Sequence, residues 1–168
     1  MASLVVPRAT PSLVSPMPDA AKIPAILAGV AGEYFVAAEL SRLGYIASIS
    51  LRNTRGIDIL ATNQDGSLSI TIQCKTSQKR RKSWILNEKS EDFASDSHFY
   101  VFVSLGKSGE RPRYHIVPSR VVATRVKAGH REWLNKPGKS GQKHVDSPVR
   151  LFSDEDDEYL ERWDLLGL

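Results

Sequence analysis

Four polar residues occupy places in this sequence where apolar residues are the rule. Glu33 lies within an apolar helical stripe, and Asp58 lies inside an apolar run. Gln73 and Lys75 close the next apolar run along the chain. Two carboxylates together with an amide or a backbone carbonyl form a set of hard oxygen ligands, which suits Mg²⁺ or Mn²⁺ better than zinc. A lysine beside such an ion positions a water molecule and stabilises charge on a phosphate, as phosphodiester hydrolysis requires.

The segment that contains Glu33 is predicted to be a helix. Residues 23–44 repeat apolar side chains at helical spacing, and Gly44 is a plausible helix stop. One stripe of this helix contains Ile26, Val30, Glu33, Ala37 and Leu40. Glu33 is therefore expected on a buried or half-buried face. Glu39 lies off the stripe, and we expect it to be solvated.

Three strand-like runs follow the helix, at residues 45–51, 57–62 and 68–75. Asp65-Gly66, between the second and third runs, is a strong signal for a hairpin turn. Because side chains alternate along a strand, Gln73 and Lys75 share one face of the third run. With the helix packed on the sheet and the hairpin closed, the four polar side chains are expected to line one cleft. The simpler alternative is an ion pair between Asp58 and Lys75, with Glu33 bound to nearby backbone.

The remaining elements predict an α/β fold with a mixed β-sheet flanked by helices. A short helix is expected near residues 88–94 and a helix from residue 119 that ends at Gly129. Residues 98–105 are apolar nearly throughout, as in a central strand covered on both faces. A further strand is expected at residues 113–118.

One domain with flexible ends is the expected organisation, since 168 residues with 41% hydrophobic content can bury one core. Residues 1–22 predict a disordered leader, and the domain spans residues 23–168 with its core at 25–129. Residues 130–150 are rich in Gly, Pro, Lys and Ser and predict an irregular excursion. Residues 153–166 then predict an amphipathic C-terminal helix with a capping serine.

The pattern of polar residues resembles the PD-(D/E)XK nuclease superfamily, which includes restriction endonucleases and archaeal Holliday-junction resolvases. In that family a helix bears a glutamate, and a strand hairpin bears an aspartate followed by E-x-K. The matching residues are Glu33 in GEYFVAAEL, Asp58 in RGIDIL, and Gln73 with Lys75 in IQCK. The resemblance covers roughly residues 25–129. Gln73 stands where the commoner pattern has a carboxylate, and the Q-x-K form resembles the Mrr-type restriction endonucleases.

The resemblance implies a restriction-endonuclease-like fold with an αβββαβ core and Mg²⁺- or Mn²⁺-dependent cleavage of DNA. The process would be DNA repair, restriction or defence against foreign DNA. It implies that Glu33 and Asp58 hold the metal, and that Gln73 and the backbone carbonyl of Cys74 complete the site. Lys75 would orient the attacking water.

Two other functions remain open at this stage. A catalytically inactive nucleic-acid-binding module could keep the same fold, because a fold does not fix a function. A protein–protein module is the third hypothesis, with the basic loop and the acidic tail paired between subunits. Many nucleases of this fold act as dimers, so a homodimer is a possible assembly.

A basic run follows the third strand directly, where a substrate backbone could pass the metal. It contains Lys79, Arg80, Arg81, Lys82 and, slightly further on, Trp84. Basic side chains bind phosphates by releasing counterions, and an aromatic ring can stack on an unpaired base. The run is therefore predicted to bind nucleic acid. The equally weighted alternative is a solvated loop whose tryptophan packs into the core.

Composition restricts the remaining classes of function. The balance of 23 Lys+Arg against 19 Asp+Glu is only mildly basic, so patches rather than net charge indicate partners. The single cysteine, Cys74, cannot form an internal disulfide, and no apolar run is long enough to span a bilayer. We therefore expect a cytoplasmic protein without membrane contact, and the resemblance implies DNA as its partner.

Overall fold

The structure is a computed structural model that describes residues 23–50 and 56–168. The elements within these ranges are α1 (Ala25–Arg42), β1 (Ile46–Ile49), β2 (Ile59–Thr62), β3 (Ser69–Ser77), β4 (Ser83–Asn87), the 3₁₀ helix η1 (Glu88–Glu91), β5 (His98–Ser104), β6 (Arg113–Pro118), α2 (Ser119–Asn135), β7 (Val149–Ser153) and the 3₁₀ helix η2 (Trp163–Leu166). No helix in the described ranges has the length and apolar character needed to cross a bilayer. The predicted leader at 1–22 and the end of the first predicted strand lie outside the described residues.

Five of the strands form one mixed sheet, in the order β1-β2-β3-β5-β6. The pairs β1–β2, β2–β3 and β5–β6 are antiparallel, whereas β3 and β5 are parallel. The predicted hairpin between β2 and β3 is confirmed, and Gly66 in its turn has a φ of 72°, which a residue without Cβ adopts freely. A parallel pair needs a long crossover, and the chain between β3 and β5 forms β4 and η1.

The sheet is covered on both faces, which confirms the predicted α/β class. On one face, Val36 and Leu40 of α1 share a buried cluster with Ile72 of β3. On the other face, α2 and the antiparallel pair β4–β7 close a second cluster around Phe102. Every residue of β5 is buried, so the prediction of a central strand at 98–105 is confirmed.

Helix α1 packs on the sheet through a different stripe from the predicted one. The buried residues follow a spacing of four and are Ala28, Gly32, Val36 and Leu40. Ile26, which was placed in the predicted stripe, is 61% exposed. Glu33 lies beside the buried stripe and is half-buried, as expected. Glu39 is not solvated, because its side chain is 14% exposed and forms ion pairs with Arg42 and Arg111.

The strands β4 and β7 are not predicted from the sequence. In the sequence, β4 follows a basic run and β7 adjoins a segment rich in Gly and Lys, so neither stands out as a strand. Each strand forms its backbone hydrogen bonds with the other. Helix α2 continues to Asn135, beyond the predicted end at Gly129, because a helix interior tolerates a glycine at a cost of about 1 kcal/mol. The irregular excursion predicted at 130–150 is therefore shorter and covers residues 136–148. The short helix predicted near 88–94 is η1.

The prediction of a C-terminal helix at 153–166 is wrong. After β7 the chain turns, with a positive φ of 56° at Asp157, and only the 3₁₀ helix Trp163–Leu166 follows. Asp154 is buried, and its Oδ2 lies 2.7 Å from Nδ1 of the buried His115. Tertiary partners therefore take up the acidic side chains that a helix N-terminus would otherwise have used, and this packing overrides the local helix pattern.

Candidate active site

Asp58 is held at the point where β2 and β3 come together. Its backbone N–H donates to the carbonyl of Ile72 at 2.8 Å. Its side chain reaches across to β3, where Oδ2 accepts the Cys74 N–H at 2.7 Å. The antiparallel register of β2 and β3 makes both contacts possible, because Ile59 lies opposite Ile72. The Asp58 carboxylate is thus fixed against the β3 backbone at Cys74, the residue that follows Gln73.

Burial controls the electrostatics of Asp58. It raises the pKa of the carboxyl above its ordinary value, because a low-dielectric environment disfavours the charged form. The hydrogen bond from Cys74 and the positive charge of Lys75 lower the pKa and oppose part of this effect. A half-buried carboxylate of this kind gains stability from a bound cation.

Gln73 and Lys75 line one open cleft, as the alternation along β3 predicts. The cleft has a volume of about 700 Å³. Its lining residues come from the segment before β2, from β3, from the crossover and from β5, and they are Gly56, Gln73, Lys75, Leu86, Asn87, Glu88, Lys89, Ser90, Phe93 and Tyr100. Both Gln73 and Lys75 are half-buried, so their polar ends are accessible from the cleft.

Glu33 does not line this cleft, and neither does Asp58, so the expected single cleft of four polar side chains is not observed. Helix α1 packs on the face of β3 that bears Cys74, whereas Gln73 and Lys75 point to the opposite face. The residue before Glu33, Gly32, lies so close to β3 that a Cβ added to it would stand 1.9 Å from Oγ1 of Thr76.

The pKa of the Cys74 thiol is affected by the charges around it. Burial raises its pKa well above the ordinary value, the charges of Asp58 and Glu33 raise it further, and that of Lys75 lowers it. Two carboxylates and one lysine therefore act on a single side chain of β3.

The donor atoms at this site fit a hard divalent cation. Within the described residues, no group of three or more His, Cys, Asp and Glu side chains is arranged to hold a metal. The metal centre predicted from the sequence would combine the carboxylates of Glu33 and Asp58 with the amide oxygen of Gln73 and the carbonyl of Cys74. These are all oxygen ligands, which Mg²⁺ and Mn²⁺ prefer. No ion pair joins Asp58 and Lys75 in the described part of the chain, although the charge of Lys75 lowers the pKa of the Asp58 carboxyl.

Trp84 does not face a substrate, and its assignment to nucleic-acid binding is wrong. Its side chain is 3% exposed, lies 5.0 Å from the rings of Phe102 and His115, and donates its indole N–H to the carbonyl of Val103 at 3.3 Å. The alternation of β4 turns this residue inward together with Leu86. The alternative in which the tryptophan belongs to the core is the one observed.

Two of the four basic residues of the run form ion pairs, and the other two do not within the described residues. Arg80 pairs with Glu110 at 3.0 Å, and Lys82 pairs with Asp157 at 2.9 Å. Lys79 and Arg81 are exposed, and neither forms an ion pair within the described part of the chain. About half of the positive charge in the run is therefore already neutralised.

The acidic tail takes part in this neutralisation within one chain. Asp157 pairs with both Lys82 and Arg113, and Glu158 pairs with Arg125. The third hypothesis from the sequence pairs the tail and the basic loop between subunits. The observed contacts between them lie within one chain, and pairing between subunits stays a prediction.

Sequence patterns did not identify the other side of the cleft. Tyr100 lies beside Gln73 in the parallel register of β3 and β5, which no local signal reveals. Lys89 and Phe93 enter the cleft from η1 and the loop after it. Only the crossover between the two parallel strands brings them there.

The described elements form an α/β protein with a mixed five-stranded sheet flanked by helices, which is the fold class predicted from the sequence. Helix α1 and a three-stranded antiparallel unit precede the crossover, and β5 then pairs in parallel with β3. The four polar residues predicted from the sequence lie on α1, before β2, and on β3 of this arrangement.

Solved structures similar to the chain include the Holliday junction resolvase Hjc of the archaeal hyperthermophile Archaeoglobus fulgidus. It has 14% sequence identity and a TM-score of 0.46, over 83% of this chain and 95% of that chain. The bacterial homing endonuclease I-Ssp6803I has 12% identity and a TM-score of 0.49, over 84% of this chain and 91% of that chain. No protein-family model and no curated protein sequence matches the chain. The roles of individual residues must therefore follow from the site itself.

Proposed function

We propose that the protein is a Mg²⁺- or Mn²⁺-dependent endonuclease that hydrolyses phosphodiester bonds of DNA. The observation that supports this proposal best is the position of Asp58, whose carboxylate is bound to the backbone of Cys74 between Gln73 and Lys75. Glu33 and Asp58 hold the metal in this proposal, and Gln73 with the Cys74 carbonyl completes its ligands. A divalent ion held by these residues would supply Lewis-acid chemistry to the phosphate and to the attacking water.

The chain's own residues have distinct tasks in this reaction. Lys75 lies on the cleft wall, where its ammonium group holds the attacking water and stabilises the charge that develops on the phosphate. Lys79 and Arg81 bind the substrate backbone through charges that no described acidic residue neutralises. DNA repair, restriction or defence, a cytoplasmic location and a homodimeric assembly belong to the same proposal.

Cleavage of supercoiled, linear and branched DNA with Mg²⁺ or Mn²⁺ tests the proposal. We expect cleavage by the wild type and a loss of about 100-fold or more in Asp58→Ala and Lys75→Ala. Asp65→Ala and Lys107→Ala are matched controls, because each removes the same charge from an exposed turn outside the cleft. Equal background activity in the wild type and in both site variants contradicts the proposal.

A catalytically inactive DNA-binding module is the second candidate. Gln73 favours it, because an amide in place of a carboxylate removes one negative charge from the proposed metal site. DNA binding without cleavage, weakened when Lys79 and Arg81 are neutralised, is the result expected for this candidate.

A further inference from the structure

The candidate cleft has an aromatic end that the proposed metal ligands do not use. Phe93 lines it together with Leu86 and Tyr100, and the Phe93 side chain is 43% exposed. A large aromatic side chain with an open face is unusual beside charged and amide groups, since such rings generally pack into a core. This end of the cleft is therefore suited to a flat, apolar ligand.

Buried rings fix the orientation of Phe93. Its ring lies edge-to-face on His98, at a centroid distance of 4.5 Å and an angle of 77°. His98 is buried, and its Nδ1 lies 2.8 Å from Oγ1 of Thr71. The ring of His98 also packs edge-to-face on Tyr100 at 5.4 Å. A ring held in this way loses little conformational entropy when a ligand stacks on it.

The rim of the cleft is complementary to a nucleotide strand. Lys75 and Lys89 place positive charge on different walls, and neither forms an ion pair within the described residues. Asn87 caps η1 through its Oδ1, which accepts the Lys89 N–H, and its amide NH₂ can donate to the edge of a base. Tyr100 lies next to Gln73 in strand register, so the aromatic end adjoins the proposed catalytic residues.

We propose that the aromatic end of the cleft, formed by Leu86, Phe93 and Tyr100, takes the base of an unpaired nucleotide, which stacks on Phe93. The preferred substrate is then DNA that contains an unpaired base next to the cleaved bond, rather than a fully paired duplex. A paired base in a duplex is covered on both faces by its neighbours, so moving it into the cleft costs free energy. The cost is smallest for a base that is already unpaired. This inference rests on the proposed function, because it assigns a substrate class to the same cleft.

Binding measured without cleavage tests the inference. Three labelled DNA molecules of equal length are compared by fluorescence anisotropy with Ca²⁺ in place of Mg²⁺: a paired duplex, a duplex with a one-base bulge, and the same bulge with an abasic nucleotide. We expect the wild type to bind the bulged base about tenfold more tightly than the abasic bulge, as stacking of one base predicts. 2-Aminopurine placed in the bulge should lose fluorescence on binding, because stacking quenches it.

Matched variants separate stacking from a general effect on the protein. Phe93→Ala should abolish the preference for the base over the abasic nucleotide, and Phe93→Trp should retain it. Phe35→Ala is the control, because Phe35 is also 43% exposed but lies on α1 and does not line the cleft. It should leave the preference unchanged.

Each outcome decides one of the two proposals. The inference is overturned if the wild type binds both bulges equally and 2-aminopurine is not quenched, whatever the variants do. DNA cleavage together with that result leaves the proposed function intact. A preference for the base that depends on Phe93, in a protein that cleaves no DNA, supports the base-binding site but contradicts the endonuclease function and with it the assigned substrate.

Discussion

Gln73 determines the charge of the proposed metal site. It lines the cleft with Lys75 and precedes Cys74, whose N–H donates to Asp58, and it contributes an amide where a carboxylate would add one negative charge. Affinity for a divalent cation rises with the number of charged ligands. The natural site should therefore need a higher metal concentration than one with glutamate at this position.

Gln73→Glu tests this effect directly. We expect the Mg²⁺ concentration for half-maximal cleavage to fall, on the order of tenfold, because the added carboxylate attracts the ion. Gln64→Glu is the control, since it adds the same charge at an exposed loop position. Cleavage that appears only in Gln73→Glu would show that the natural protein binds DNA without cutting it.

His98 should make the stability of the fold depend on pH. Burial lowers its pKa to about 4, because the imidazolium is disfavoured inside the protein. The unfolded chain binds a proton near pH 6.5, whereas the folded one does not until about pH 4. The contribution to stability is thus complete above pH 6.5 and is lost as the pH falls towards 4.

Urea unfolding between pH 7 and pH 4 measures this contribution. We expect a loss of about 3 kcal/mol in the free energy of unfolding from this residue. His98→Phe should remove that part of the pH dependence, while His144→Phe should keep it. An unchanged slope in His98→Phe would mean that other groups cause the acid sensitivity.

At the scale of elements, the docking of α1 on β3 determines where Glu33 lies. Gly32 permits the close approach, since any side chain at this position would overlap Thr76. The helix pattern alone does not reveal this contact, because glycine contributes nothing to an apolar stripe. The position of this proposed metal ligand thus depends on a neighbour without a side chain.

Gly32→Ala should destabilise the protein by about 1–3 kcal/mol through overpacking, even though alanine favours helices. It should also reduce cleavage, because α1 must move away from β3 and takes Glu33 with it. Gly29→Ala is the matched control: no atom lies within 4 Å of its added Cβ, and we expect a gain of about 0.5–1 kcal/mol. Thermal unfolding of both variants measures the difference, and equal changes would contradict the close approach.

At the scale of the whole molecule, ion pairs decide which basic residues can bind a substrate. In the run after β3, Arg80 and Lys82 are paired with acids from distant parts of the chain, and Lys79 and Arg81 are not paired within the described residues. A DNA phosphate backbone binds most strongly to basic side chains that have no acidic partner.

Two double variants of equal charge change test this distinction. Lys79→Ala with Arg81→Ala should reduce the slope of log binding constant against log salt by about 1.8, the value for two lost phosphate contacts. Arg80→Ala with Lys82→Ala should reduce the slope by less, because Glu110 and Asp157 already neutralise those residues. Equal reductions in the two variants would contradict the assignment.

The sequence by itself determined the parts of this protein that depend on local periodicity. The alternation along β3 placed Gln73 and Lys75 on one face, the Asp65-Gly66 turn fixed the hairpin, and the continuous apolar run identified β5 as central. Each prediction is confirmed, because the spacing of side chains along a helix or strand follows from backbone geometry alone. The metal-binding roles of Glu33, Asp58, Gln73 and the Cys74 carbonyl stay predictions.

Only the tertiary structure decided the features that depend on distant partners. Trp84 faces the core because β4 pairs with β7, and the tail beyond Ser153 is not helical because His115 and Lys82 bind its acids. Phe93 lines the cleft because the chain that connects the parallel strands β3 and β5 passes along it. The free energy of such contacts comes from residues far apart in sequence, and no local pattern encodes which of them will meet.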